Sequence, residues 1–140
     1  MAAFKAAADL VTFLRANITM ANVAALSTRP LIQLQGVPDS GGAAASGKFE
    51  IIKEDLRTTR LTDKYRDETY FITAEFSFAG TSETTFKELI EEIDLTLMTE
   101  NLTIDRAYLI TLDWIWDTNV IISVAYYRIE MVKQSVSVTA

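Results

Sequence analysis

The chain contains no histidine and no cysteine among its 140 residues. Histidine is the usual general base and the commonest zinc ligand, and cysteine supplies disulfides and thiolate nucleophiles, so these chemistries are excluded. There is also no GxxxxGK[ST] or GxGxxG run that could cradle a phosphate. No apolar run reaches the roughly 18 residues of a membrane span, and Lys5, Asp9 and Arg15 interrupt the apolar start. We therefore expect no catalytic site, no metal, no cofactor, no membrane span and no secretory signal.

Positive charge is also scarce. Lysine and arginine number 13 against 19 aspartates and glutamates, which gives a net charge of −6 at pH 7. A protein that grips nucleic acid neutralises phosphates with a basic surface, so nucleic-acid binding is not expected as the main role. An acidic lining would instead repel phosphate and let DNA slide past without being held.

The most informative stretch that is present is TYFITAEFSFAG, residues 69–80. Alternation with a period of two, rich in aromatic and β-branched residues, is typical of a strand with one apolar and one polar face. Its even positions are apolar: Tyr70, Ile72, Ala74, Phe76 and Phe78. A further strand is predicted at 31–35. The highly charged run 49–60 is either a long strand exposed on one side or, over part of its length, a short helix.

Two segments, 3–16 and 84–98, instead repeat apolar residues at steps of three and four, which predicts amphipathic helices. In the second helix Glu83 and Lys87 have the spacing of a stabilising i,i+4 pair. Both helices have one apolar stripe, and the strands have one strongly apolar face. We therefore predict a single α+β domain over 1–140, in which two helices pack on one face of a single mainly antiparallel sheet.

Residues 36–48, GVPDSGGAAASGK, have no hydrophobic period and contain four of the five glycines. We predict a flexible loop, and two explanations stay open: a tolerated surface insertion, or a segment that becomes ordered against a partner, with Gly41 and Gly42 at the contact. The only local concentration of positive charge follows it. It is either a solvated hairpin end or a contact for an acidic partner, and it comprises Arg57, Arg60, Lys64 and Arg66.

The clearest hairpin joins residues 107–116 to 120–132 through Asp117-Thr118-Asn119, which is turn chemistry. Both of its faces are unusually apolar near the turn. Trp116, Val120 and Ile121 are therefore either covered by a second layer of the domain or exposed at an interface. The tail, 133–140, is predicted to be a loose end or a strand added to a neighbour's sheet.

In order and length these elements resemble the tail terminator proteins of long-tailed bacteriophages. The likeness rests on the Ala-rich helix 3–16, the loop 36–48, the strands flanking 57–66, and TYFITAEFSFAG leading into SETTFKELIEEI. It implies a non-enzymatic virion protein that is assembled in the host cytoplasm. Such a protein forms a ring, usually hexameric, that caps the tail tube, meets the head-side connector or neck protein and lets DNA pass. No individual residue can be carried over, because the family has no short invariant motif to match.

Other functions remain open on the residues alone. The chain could be another neck or tube-initiator component. It could also be a domain that binds a small ligand between sheet and helices, in a pocket lined by Trp114, Trp116, Tyr126 and Tyr127. An enzyme with Asp113 and Asp117 as paired carboxylates is the remaining hypothesis, although two groups that flank a turn do not make a cleft.

Overall fold

The computed structural model describes residues 5–18, 20, 23, 26, 28–79, 83–97, 108–118 and 122–137, and for 5, 6, 108–118, 122 and 131–136 it describes the backbone alone. Two helices and five strands make up this part of the chain, with a short 3₁₀ helix at Ala44–Ser46. In chain order they are α1 (Lys5–Asn17), β1 (Leu31–Leu34), β2 (Lys48–Arg60), β3 (Tyr65–Ala79), α2 (Glu83–Leu97), β4 (Tyr108–Thr118) and β5 (Ile122–Ser137).

The strands form one sheet in the order β1-β2-β3-β5-β4. β1 runs parallel to β2, and every other neighbouring pair is antiparallel. The sequence prediction of an α+β fold with a mainly antiparallel sheet is confirmed. β3, which contains most of the TYFITAEFSFAG stretch, lies at the centre, paired on one side with β2 and on the other with β5.

The period-two pattern of β3 explains where the core lies. Its even-numbered side chains from Tyr70 to Phe78 are all buried, whereas Thr73 on the other face is exposed. Phe86 of α2 is fully buried and stacks on the rings of Phe76 and Phe78, with centroids 6.0 and 6.4 Å away. The apolar face of β3 is therefore covered by the apolar stripe of α2.

The first helix joins the same core. Leu10 and Leu14 are fully buried in one cluster with Ile32 of β1, and the two helices contact each other. On the opposite face of the sheet, Tyr126 and Arg128 are exposed. Both helices therefore contribute to one buried core, while their packing on a single face of the sheet stays a prediction. The expected i,i+4 pair is also present in α2, where Lys87 Nζ lies 3.3 Å from Glu83 Oε1.

Residues 133–137 differ from the expectation of a loose end or a strand added to a neighbour, and 138–140 lie outside the described residues. Residues 133–137 continue β5 along β3 of the same chain, and Ser137 pairs with Tyr65. The extension is possible because β3 is long and its first residues still offer a partner for β5. A shift in register between Ile51 and Lys53, where β2 bulges against β3, lets the two long strands stay paired down to Arg60.

Candidate assembly surfaces

The glycine-rich segment is organised around the carboxylate of Asp39. This side chain is only 3% exposed. It accepts hydrogen bonds from Arg29 Nη1 at 2.6 Å and from the backbone N–H groups of Ile32 and Gly41, both at 2.9 Å. Arg15 Nε of α1 lies 3.6 Å away. The hydrogen bond from Arg29, helped by those from the backbone, outweighs the opposing effect of burial and holds the pKa of Asp39 well below its usual range. We call this group of contacts the Asp39 clamp.

Two of the expected partner-contact residues, Gly41 and Gly42, lie next to the clamp. A Cβ added at Gly42 would lie 2.5 Å from the carbonyl oxygen of Pro30, and one at Gly41 would lie 2.8 Å from the Arg29 guanidinium. The backbone approaches Pro30 this closely because Ala43 N–H donates to the carbonyl of Arg29 at 3.0 Å. Both glycines therefore have neighbours within their own chain, while their contact with another subunit and the mobility of 36–48 stay predictions.

The basic residues of 57–66 lie at the end of the β2–β3 hairpin, as the sequence suggested, but most have a partner there. Arg60 Nη2 lies 2.6 Å from an oxygen of exposed Asp63. The guanidinium of Arg57 sits 5.1 Å from the ring centroid of Phe71, within the range of a cation–π contact. Lys64 forms no salt bridge with the described residues, so it is the basic residue most available to an acidic partner.

The last of these basic residues, Arg66, is tied to a buried carboxylate. Glu68 accepts from Arg66 Nη2 at 2.6 Å and from the hydroxyl of Tyr70 at 2.8 Å. The Glu68 side chain is 6% exposed, so Arg66 compensates a buried charge. The sequence prediction missed this role, although the alternation of β3 puts Glu68 and not Asp67 on the buried face with Tyr70. The same hairpin end also exposes Leu61 and Tyr65, two further residues that the sequence prediction missed.

The uncovered face of the sheet has charge arranged in rows across the strands. Across β2, β3 and β5, strand register places residues of like charge in the same row, and neighbouring rows alternate in sign. Lys53 Nζ, for example, lies 3.3 Å from a carboxylate oxygen of Asp55 in the next row. The face is therefore close to neutral and offers phosphate no continuous positive stripe. From one row to the next the pairs are Glu50 with Glu75, Lys53 with Arg128 by way of Thr73, and Asp55 with Glu130 by way of Phe71.

The β4–β5 hairpin is present, but the predicted turn at Asp117-Thr118-Asn119 is wrong in part, because Asp117 and Thr118 belong to β4 and pair with Val124 and Ser123 of β5. Trp116 lies in β4 with its backbone opposite Ala125, and Val120 and Ile121 lie outside the described residues. Tyr127 is fully buried, and its hydroxyl lies 3.2 Å from a carboxylate oxygen of Asp94. Burial, together with the charge of Asp94, raises the pKa of Tyr127.

Tyr126, next to Tyr127, is 50% exposed and faces the other way. The two tyrosines therefore cannot line one pocket, and the expected pocket of Trp114, Trp116, Tyr126 and Tyr127 is wrong in this respect. Within the described ranges no helix is long and apolar enough to cross a membrane. No group of three or more acidic side chains in the same ranges is placed to hold a metal ion.

Comparison with known proteins gives a likeness in fold. No protein-family model and no curated protein matches the chain. Among solved structures it is similar to a chain in the virion of a native gene transfer agent (GTA) particle, with 13% sequence identity and a TM-score of 0.59. The match covers 96% of each chain. At this identity the similarity establishes a common fold over nearly the whole length of both chains.

Proposed function

We propose that the chain is a structural protein of a phage-like virion, and specifically a tail terminator. The observation that carries this proposal is the full-length likeness of fold to a virion chain, with 96% of both chains covered. It adds to the sequence resemblance to tail terminators, which rests on separate features. In this role the protein is not an enzyme and needs no cofactor.

The proposed subunits form a ring, hexameric in the usual case, that caps the tail tube and meets the head-side connector. A ring needs surfaces that bind another subunit and a channel that does not bind DNA. The net charge of −6 and the alternating charge rows of the open face support a channel through which DNA passes without specific binding. The candidate contacts between subunits or partners remain Trp116, Val120, Ile121, Gly41, Gly42 and the basic residues at the end of the β2–β3 hairpin.

Light scattering on a size-exclusion column, followed by negative-stain electron microscopy, tests the proposal directly. We expect a closed ring in solution or on the end of purified tail tubes. A protein that stays monomeric at its highest soluble concentration and also fails to bind tail tubes would end the terminator assignment.

A substitution at Trp116 tests the hairpin in the same assay. If Trp116 lies at the contact between subunits, Trp116→Glu should give folded monomers. If it is a core residue, the variant should lose its circular dichroism signal along with assembly. Leu95→Glu is the matched control, because Leu95 of α2 is already 55% exposed and its replacement should leave assembly intact.

A second candidate within the same class is a neck or tube-initiator component. The fold likeness to a virion chain is equally compatible with this role, because a shared fold does not fix a subunit's place in the particle. Incubation with tail tubes distinguishes the two roles. A terminator ring should decorate the finished end of a tube, whereas a tube initiator should increase the rate at which tube protein polymerises.

A further inference from the structure

Two backbone edges of the sheet have no strand beside them among the described residues. β4 is the last strand in the order β1-β2-β3-β5-β4 and pairs only with β5. At the other side, β1 covers β2 only from Lys48 to Ile51. The rest of β2, residues 53–60, pairs with β3 alone, and we call it the free half of β2.

The two edges differ in how they are protected against another chain. Natural edge strands are usually blunted by lysine, proline, bulges or short length. β4 is 11 residues long, its sequence YLITLDWIWDT has neither lysine nor proline, and its register with β5 is unbroken. The free half of β2, KEDLRTTR, is instead strongly charged. β4 is therefore the edge on which an added strand is most expected.

Charge and strand direction fit these two edges to each other. β4 contains two aspartates and no basic residue, a net charge of −2, whereas the free half of β2 has three basic and two acidic residues, a net charge of +1. β3 is antiparallel to β2, β5 to β3, and β4 to β5, so β4 runs antiparallel to β2 within one subunit. When subunits repeat around an axis that runs along the strands, β4 of one would meet β2 of the next in antiparallel orientation, the geometry of an ordinary sheet.

We propose that β4 of one subunit adds as an antiparallel strand to the free half of β2 in a second copy of the chain. The inference rests on the ring proposed above and names its contact. Because the two surfaces differ, the joint is head-to-tail, and its repetition closes a ring where the rotation permits. Each joint would satisfy the backbone donors and acceptors of both edges, which gives affinity without requiring a large apolar patch.

The absence of cysteine makes disulfide cross-linking a clean test. Three single-cysteine variants in β2, at Asp55, Arg57 and Thr59, are each mixed with a single-cysteine variant in β4, at Thr111 or Asp113, and oxidised. The six mixtures sample neighbouring registers, since a disulfide forms only where the Cα atoms lie within about 7 Å. We expect at least one mixture to give a cross-linked dimer that neither variant gives alone.

Controls and alternative outcomes decide the inference. In the control mixture, Leu95→Cys replaces the β2 variant and is mixed with a β4 variant. Leu95 lies on the exposed face of α2, so this mixture should give no cross-linked dimer. Rings by light scattering with no cross-link in any mixture would overturn the edge pairing and leave the proposed terminator intact. A dimer formed by Thr111→Cys alone would mean that β4 pairs with β4 across a two-fold axis, which also overturns it.

Two further outcomes separate the inference from the function. Cross-linked dimers, from a protein that light scattering and electron microscopy show as open chains without rings, would support the edge pairing and contradict the terminator. A wild-type protein that remains monomeric, with no cross-link at its highest soluble concentration, would refute the edge pairing itself. Circular dichroism on each cysteine variant excludes misfolding as the cause of a negative result, and the six mixtures ensure that no single variant decides it.

Discussion

Replacement of Asp39 by asparagine should destabilise the monomer strongly, although the two side chains are nearly equal in size. The asparagine amide keeps one acceptor oxygen. Its NH₂ group would replace the other carboxylate oxygen of Asp39, which accepts N–H hydrogen bonds in the wild type. An NH₂ group cannot accept those bonds. Arg29 would keep its charge while losing its partner, and its side chain is only 16% exposed. Breaking one side of a buried ion pair costs about 3–5 kcal/mol. Because Arg29 retains some contact with water, we expect about 2–3 kcal/mol.

Urea denaturation followed by circular dichroism measures this loss, at a protein concentration where light scattering shows monomers, since assembly would add to apparent stability. Asp63→Asn is the matched control. Asp63 also pairs with an arginine at 2.6 Å, but its side chain is 92% exposed, and an exposed pair contributes little. If Asp39→Asn shifts the midpoint no more than Asp63→Asn does, the Asp39 clamp does not stabilise the fold.

The stability difference between wild type and Asp39→Asn should also depend on pH. The folded pKa of Asp39 is depressed, so its contribution is complete above the unfolded pKa, about 3.9 for aspartate, and is lost as the pH falls towards the folded value. The difference in stability between wild type and Asp39→Asn should therefore stay constant from pH 7 to about pH 5 and shrink below about pH 4. A difference that grows on acidification would contradict the assigned direction.

Three further outcomes are expected. Gly47→Ala should cost several times more than Gly36→Ala: both glycines have positive φ, but an added Cβ at Gly47 would lie 2.6 Å from a buried aromatic ring and at Gly36 meets nothing within 4 Å. Urea midpoints measure this, and equal losses would refute it. Phe86→Ala should lower the free energy of unfolding by about 3–5 kcal/mol, as for other fully buried phenylalanines, and a loss below 1 kcal/mol would contradict the packing of α2 on the sheet. In hydrogen exchange, the amide of Ala43, which donates to a carbonyl 3.0 Å away, should exchange more slowly than that of exposed Ser40, and the reverse order would refute this.

Sequence periodicity sufficed to locate the elements. The alternation of residues 69–79 and the three-and-four spacing of 84–97 are local patterns. In each case the residues of the segment itself indicate whether it is a strand or a helix and which face is buried. The observed end of α1 and the observed starts of β2 and α2 each differ from the predicted ones by one residue, and the predicted 3–4 and 98 lie outside the described residues. The predicted i,i+4 pair of Glu83 and Lys87 is equally local.

The Asp39 clamp could not be predicted in the same way. Asp39 reads as a turn residue beside a proline, and its partners Arg29, Ile32 and Arg15 come from a preceding loop, a strand and a helix. Their approach depends on β1 lying parallel to β2, which brings the end of the glycine-rich segment back along the first strand. The bond from Tyr70 to Glu68 differs from the clamp, because it joins residues two apart on one face of β3 and is therefore a local contact.

The helices, the strands, their apolar faces and the lack of histidine and thiol chemistry follow from the sequence, because each depends on residue type and on spacing within one segment. Which strands lie at the edges of the sheet, and which charges face each other across neighbouring strands, follows from the folded structure. Those relations depend on register between segments far apart in the chain, including the shift at Ile51 and Lys53. A single-residue change in register turns a side chain to the opposite face, so local patterns cannot fix the surfaces that a second subunit would meet.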